Sequence, residues 1–228
     1  MTADGSNSDS VASARGSPGR GAPHRDVAAF EERAPTYEQG RLGAMHREIA
    51  DRTAALALAS APGGAGPGAW PRRVLDVGCG TGYLLRRLAI LCPQADELAG
   101  VDPAPAMVQV AGASASDERL HLYAGVRAER LPFPDATFDL VVSTTSFDHW
   151  SDQGAGLAEC ARAMAPGGRL VLVDQFSVLL APTLAFGRRG KARTRWQAAR
   201  LLEAAGLCPI SWHRLYAVII QAVVAGKQ

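Results

Sequence analysis

The chain has 228 residues, enough for one full-sized domain with its own core. Hydrophobic residues make up 47% and charged residues 20%, ordinary globular proportions. A net charge of +2 falls short of the basic excess that a dedicated nucleic-acid binder usually carries, so no nucleic-acid partner is expected.

Cys79, Cys92, Cys160 and Cys208 form no C-x-x-C pair and stand beside no histidine cluster, so no metal site is expected. Isolated cysteines fit a reducing compartment, where they serve as small apolar residues. No apolar run is long enough for a bilayer, and the opening MTADGSNSDS lacks the apolar stretch of a secretory signal. The expectation is a cytoplasmic protein with no membrane partner. Arginine far outnumbers lysine, and alanine and glycine abound, a coding habit compatible with a bacterial source.

Residues 1–24 are rich in Gly, Ser, Ala and Pro and read as a disordered tail. Residues 25–69 read as N-terminal helices forming a lid or substrate cover. Val27, Phe30 and Ala34 mark a short helix ending before Pro35; Leu42, Met45, Ile49 and Leu56 recur at helical spacing through residue 60. Pro62 to Gly68, PGGAGPG, is a linker.

Residues 70–226 then alternate strands and helices. Strands are predicted at Arg73 to Val77, Glu97 to Val101, Leu120 to Ala124, Phe138 to Ser143 and Arg169 to Asp174. Helices are predicted at Tyr83 to Cys92, Ala104 to Ala113, Asp152 to Ala165 and Trp196 to Ala205. Cys208 to Arg214 and Ala217 to Val224 read as a closing antiparallel hairpin. Such alternation implies an α/β fold, a parallel sheet with helices on both faces, whose ligands bind beyond the carboxyl ends of the strands. Arg188, Arg189, Lys191, Arg193 and Arg195 form a tight basic cluster, either a solvated loop or a cationic lid over an anionic substrate.

The strongest local signal runs from Val74 to Gly82, VLDVGCGTG. An apolar strand enters a loop with glycine at alternate positions, then a helix. Gly78 and Gly80 leave the backbone open to a ligand and permit positive φ; Gly82 lets the helix start close to the sheet. The helix N-terminus offers unsatisfied N–H groups to a carboxylate. A dinucleotide site usually reads G-x-G-x-x-G, and Tyr83 stands where its third glycine falls.

This segment resembles motif I of the class I S-adenosylmethionine-dependent methyltransferases, in the subgroup that includes quinone-biosynthesis and small-molecule enzymes. Gly100-Val101-Asp102, Ala128 to Val141 (AERLPFPDATFDLV) and Ala165 to Leu170 (APGGRL) match further family segments in order, so the resemblance covers about residues 26–224. It implies a Rossmann-like, doubly wound seven-stranded sheet of order 3-2-1-4-5-7-6 with the last strand antiparallel. It implies S-adenosyl-L-methionine as cofactor, S-adenosyl-L-homocysteine as product, and a small-molecule methyl acceptor bound by a monomer or homodimer.

Asp102 ends a predicted strand, where a carboxylate can accept the ribose hydroxyls; a plain Val-Asp-Pro surface turn is the other reading. Asp76 either holds the methionine ammonium or pins the glycine loop. Met107 either packs on the adenine or fills the core. By the resemblance, Ala128 offers its backbone N–H to the adenine, while Arg127 replaces the acidic residue that often takes the adenine amine. Gly78, Cys79, Gly80, Gly82, Pro103, Glu129 and Ser143 complete the expected cofactor contacts. Thr144 to Trp150, TTSFDHW, should lie beside the transferable methyl. There His149 and Asp148 are the candidate catalytic residues if the acceptor must lose a proton, with packing or helix capping the other reading of His149. Tyr37 and His46 either cover the substrate or belong to ordinary helix faces. A nicotinamide-dependent oxidoreductase, a non-catalytic donor-binding protein and an RNA or protein methyltransferase remain rival readings.

Overall fold

The computed structural model describes residues 25–61, 71–177 and 194–227. The expected tail, the PGGAGPG linker and the basic residues Arg188, Arg189, Lys191 and Arg193 lie outside the described residues; Arg195 lies inside them.

Two helices come first, α1 (Arg25–Arg33) and α2 (Gly40–Ser60), separated by a short 3₁₀ turn, Ala34–Thr36, that takes in Pro35. They are followed by β1 (Arg73–Val77), α3 (Tyr83–Leu91), β2 (Glu97–Asp102), α4 (Pro105–Ala113), β3 (Leu120–Ala124) and β4 (Phe138–Thr144). The chain closes with α5 (Gln153–Ala163), β5 (Met164–Gln175), α6 (Arg195–Ala204), β6 (Leu207–Tyr216) and β7 (Ile220–Lys227).

Among the described residues seven strands form one sheet, ordered β3-β2-β1-β4-β5-β7-β6. β1 pairs parallel with both β2 and β4, while β7 runs antiparallel to β5 and β6. The order reverses between β1 and β4, so their carboxyl ends open a crevice at the topological switch point.

Successive residues of one strand feed opposite layers, as the period of two demands. Val74 packs with Ile49, Leu85 and Leu88 from α2 and α3, while Leu75 packs with Leu157, Cys160 and Leu202 from α5 and α6. Helices therefore cover both faces, and the central strands are apolar almost throughout because neither face meets water.

Several boundaries differ from the sequence reading, chiefly around β5 and β7. The helix expected to reach Ala165 stops at Ala163, and β5 begins at Met164 rather than Arg169. Met164 is fully buried and pairs with Phe138, so burial holds it extended; Pro166, Gly167 and Gly168 form an irregularity inside a long strand, with register shifting between Phe138 and Leu140. β7 starts at Ile220 rather than Ala217, because Ala217 has φ +48° and belongs to the turn.

Candidate active site

The loop after β1 folds back over the end of β2. The N–H groups of Gly78 and Cys79 both donate to the Val101 carbonyl, at 2.9 and 3.0 Å. Gly78, Gly80 and Gly82 have φ of +80°, +53° and +74°, the left-handed region that side chains resist. At Gly78 a Cβ would also lie 2.4 Å from the Ser146 side chain, so only hydrogen fits there.

Asp102 stabilises this loop directly. Its Oδ2 accepts from the Gly80 N–H at 2.9 Å and its Oδ1 from the Ala104 N–H at 2.8 Å. Burial raises the Asp102 pKa, and these two hydrogen bonds oppose the rise. Each oxygen keeps a lone pair for a further donor. Loop pinning, one of two readings for Asp76, thus falls to Asp102. Asp76 instead leaves its buried Oδ1 without a partner, and burial, then the Asp102 charge, pushes its carboxyl up to about 8.

Two cavities adjoin the loop. The larger, about 770 Å³ with its open mouth, is lined by Gly78, Asp102, Pro103, Met107, Ala128 and Glu129, by the exposed Arg127, and by Phe30, His149 and Trp150. The smaller, about 490 Å³, is lined by Asp76, Cys79, Thr81, Glu38, His46 and Arg47. Tyr37, Gly78, Gly80, Thr144 and Thr145 line both, so the cavities meet above the glycine loop.

The smaller cavity gathers orphaned polar atoms. Asp76 Oδ1, His46 Nδ1 and Thr144 Oγ1 are buried without a hydrogen-bond partner, and all three residues line it. Such groups cost free energy unless something satisfies them, which makes this cavity a candidate polar subsite. Burial, then the nearby Arg33 charge, lowers the His46 pKa and keeps its imidazole neutral. Burial likewise raises the Cys79 thiol well above its ordinary value, which leaves Cys79 an unreactive wall residue.

The roof comes from the N-terminal segment. Tyr37 stacks on His46 with ring centroids 4.9 Å apart, and Phe30 meets His149 edge-on at 5.0 Å. The edge contact fixes the plane of the His149 ring at the wall of the larger cavity.

Three expected residues stand back from the cavities. Asp148 is buried, lines neither cavity, and donates its backbone N–H to Asp174 Oδ2 at 3.0 Å, which anchors the 3₁₀ turn carrying His149. Ser143 is fully buried with its Oγ 2.7 Å from Ser146 Oγ. Ser146 Oγ donates to the Val77 carbonyl at 2.8 Å, so Ser143 donates to Ser146. Gly82 lines neither cavity and precedes α3. Glu129 does line the larger cavity, yet its Oε1 accepts from the Asp152 N–H at 2.9 Å and so ties the loop after β3 to the start of α5.

Sequence reasoning did not single out Glu38, Arg47 or Thr81. Their neighbours in sequence gave a hint, since Glu38 adjoins Tyr37, Arg47 adjoins His46 and Thr81 lies within the glycine motif.

Residues 75–172, from β1 into β5, match the family model described as "Methyltransferase domain". A demethylmenaquinone methyltransferase from Deinococcus radiodurans is 43% identical over 105 residues, covering 46% of this chain and 43% of that protein. A malonyl-[acyl-carrier protein] O-methyltransferase from Hahella chejuensis is 34% identical over 167 residues, covering 72% of this chain and 54% of that one. The chain thus spans about half the length of these curated relatives. A solved SAM-dependent methyltransferase from Aquifex aeolicus superposes with a TM-score of 0.64 over 90% of this chain and 100% of that one; at 18% identity this likeness concerns the fold alone. Among the described residues no helix is long and apolar enough to cross a membrane. The domain match, the relatives and the motif-bearing loop agree that residues 75–172 form a methyltransferase domain of the class I S-adenosylmethionine-dependent kind.

Proposed function

We propose that the chain transfers the methyl group of S-adenosyl-L-methionine to a small-molecule acceptor, releasing S-adenosyl-L-homocysteine. The convergence of Asp76 Oδ1, His46 Nδ1 and Thr144 Oγ1 on a cavity continuous with a larger one carries this reading. A zwitterionic amino-acid head joined to an adenosine has the chemistry to satisfy both spaces.

The residues fit that group. Asp102 would accept the ribose hydroxyls on its remaining lone pairs, with Pro103 and Met107 against the base and the Ala128 N–H toward a ring nitrogen. Asp76 would meet the ammonium. Gly78, Cys79, Gly80 and Gly82 keep the loop open for close approach. When bound, the donor supplies an electrophilic methyl on sulfur with a good neutral leaving group, so alignment supplies much of the catalysis.

The chain's own residues then divide the remaining work. Tyr37 and Phe30 roof the junction and exclude water. His149, at the wall of the larger cavity, takes the proton from a protic acceptor. Asp148 holds the turn beneath it, and Ser143 holds Ser146, which ties the segment after β4 to the end of β1. The two relatives act, by name, on a quinone precursor and on a carrier-bound malonyl group. We place this chain with them among enzymes that modify small metabolites by O-, N- or C-methylation, acting in the cytoplasm as a monomer or homodimer.

Calorimetry with S-adenosylhomocysteine, followed by labelled-donor assays on quinone-like and acyl metabolites, tests the proposal. Binding with methyl transfer supports it. Binding without transfer to any acceptor favours a non-catalytic role. Tight binding of a nicotinamide dinucleotide in place of S-adenosylhomocysteine overturns it.

A further inference from the structure

Glu38 sits between the turn that carries Tyr37 and the start of α2, and it is held from three directions. Its Oε1 accepts from Thr81 Oγ1 at 2.6 Å and from Arg86 Nη2 at 2.8 Å. Arg86 also donates through Nη1 to the Thr81 carbonyl at 2.6 Å, which closes a ring of bonds between Glu38, the glycine loop and α3. The Glu38 carbonyl accepts from Arg47 Nη1. Gly43, in the first turn of α2, lies so near that a Cβ there would be 2.2 Å from the Glu38 carbonyl carbon. The backbone of Glu38 is thus fixed to α2, while its side chain is fixed to the loop that lines both cavities.

Tyr37, the next residue back, lines both cavities where they meet. A bond from Glu38 to Thr81 therefore sets the height of the roof above the glycine loop. We propose that Glu38 is a positioning residue that latches this roof onto the glycine loop and thereby controls the rate at which donor and product leave. The inference rests on the donor-binding reading above.

The bond is built to open. The Glu38 and Arg86 side chains are 32% and 23% exposed, so water competes for both partners once the roof lifts. A charge-assisted pair at this exposure suits a closure that forms and breaks in each catalytic cycle.

Stopped-flow displacement of S-adenosylhomocysteine, read by tryptophan fluorescence, tests the latch, because Trp150 lines the larger cavity. Glu38→Ala should raise the dissociation rate roughly ten-fold with little change in the association rate. Arg86→Gln should do the same from the other side, and the double variant should add little more. Glu38→Gln keeps an acceptor for Thr81 and should fall between. In turnover, the donor KM should rise while kcat holds. A wild-type dissociation rate in both Glu38→Ala and Arg86→Gln overturns the latch and leaves donor binding intact. If the wild type binds no S-adenosylhomocysteine, the donor reading fails. Amide exchange over residues 34–47 then decides the latch: faster exchange in Glu38→Ala supports it, and unchanged exchange refutes it.

Discussion

Replacing Asp76 by asparagine keeps the shape of the side chain and removes its capacity to ionise. Burial and the Asp102 charge push the Asp76 carboxyl up to about 8, so near neutral pH it is mostly protonated. An ammonium ion brought beside Oδ1 favours the ionised form. Binding of S-adenosylhomocysteine should therefore expel about 0.9 proton at about pH 7 and about 0.5 at about pH 8. Calorimetry in buffers of different ionisation enthalpy reads that number directly, as the slope of observed heat against buffer enthalpy. Affinity should climb with pH up to about 8 and level off above it, since the proton to be expelled is already gone. In Asp76→Asn the slope should fall to zero and affinity should drop by about 1.5–3 kcal/mol, the worth of a hydrogen bond to a charged group. Measurable binding with no buffer dependence in the wild type would mean that Asp76 meets no cation, and the reasoning from its orphaned oxygen would fail.

The remaining predictions concern stability and the neighbouring residues. Because the folded pKa of Asp76 is raised, the folded state holds a proton the unfolded chain releases. Its stability contribution is full below the ordinary carboxylate pKa and is lost as pH rises to about 8. That loss is up to about 5 kcal/mol, so the melting temperature of Asp76→Asn should fall less with pH than the wild type's. Asp102 and Asp174 are raised by burial in the same direction, so some slope should persist in the variant, and its melting curve should not become flat. Gly78→Ala meets the Ser146 side chain at 2.4 Å from a left-handed backbone and should cost roughly 2–4 kcal/mol in urea unfolding; an unchanged midpoint would contradict the close approach. Asp102→Asn turns an amide NH₂ against either the Gly80 or the Ala104 N–H, which should cost about 1–3 kcal/mol of stability and at least about ten-fold in S-adenosylhomocysteine affinity. His149→Gln should leave that affinity intact while kcat for a protic acceptor falls; an unchanged kcat would remove His149 from proton transfer.

The parts of the fold legible in sequence are those whose physics is local. β1 and β3 are bounded as expected because each is an apolar or alternating run cut off by turn residues, and the glycine loop announces itself within nine contiguous residues. The sequence reading leaves the Pro-Gly-Gly segment between a helix ending at Ala165 and a strand starting at Arg169; pairing of the buried Met164 with Phe138 draws it into β5 instead. Beyond its place next to Tyr37, Glu38 carried no signal in sequence, because its partners lie 43 and 48 residues away and no periodicity links a carboxylate to a threonine and an arginine at such distance.

Asp76 and Asp102 show where sequence reading stops for a physical reason. Both are aspartates near strand ends, each two residues from a glycine, and nothing in their types separates a loop-pinning carboxylate from one kept for a ligand. The difference is made by two backbone N–H groups, of Gly80 and Ala104, that reach Asp102. Those bonds stabilise the Asp102 anion and fix the loop before any ligand arrives, which lowers the ordering cost of binding. Asp76, buried next to that charge and lacking a partner at Oδ1, is left neutral and unsatisfied. A cationic ligand therefore gains twice at Asp76, by satisfying a buried oxygen and by restoring its charge. A neutral ligand of the same shape gains only the first, so the pair favours a positively charged ligand in a way that the glycine motif alone does not encode.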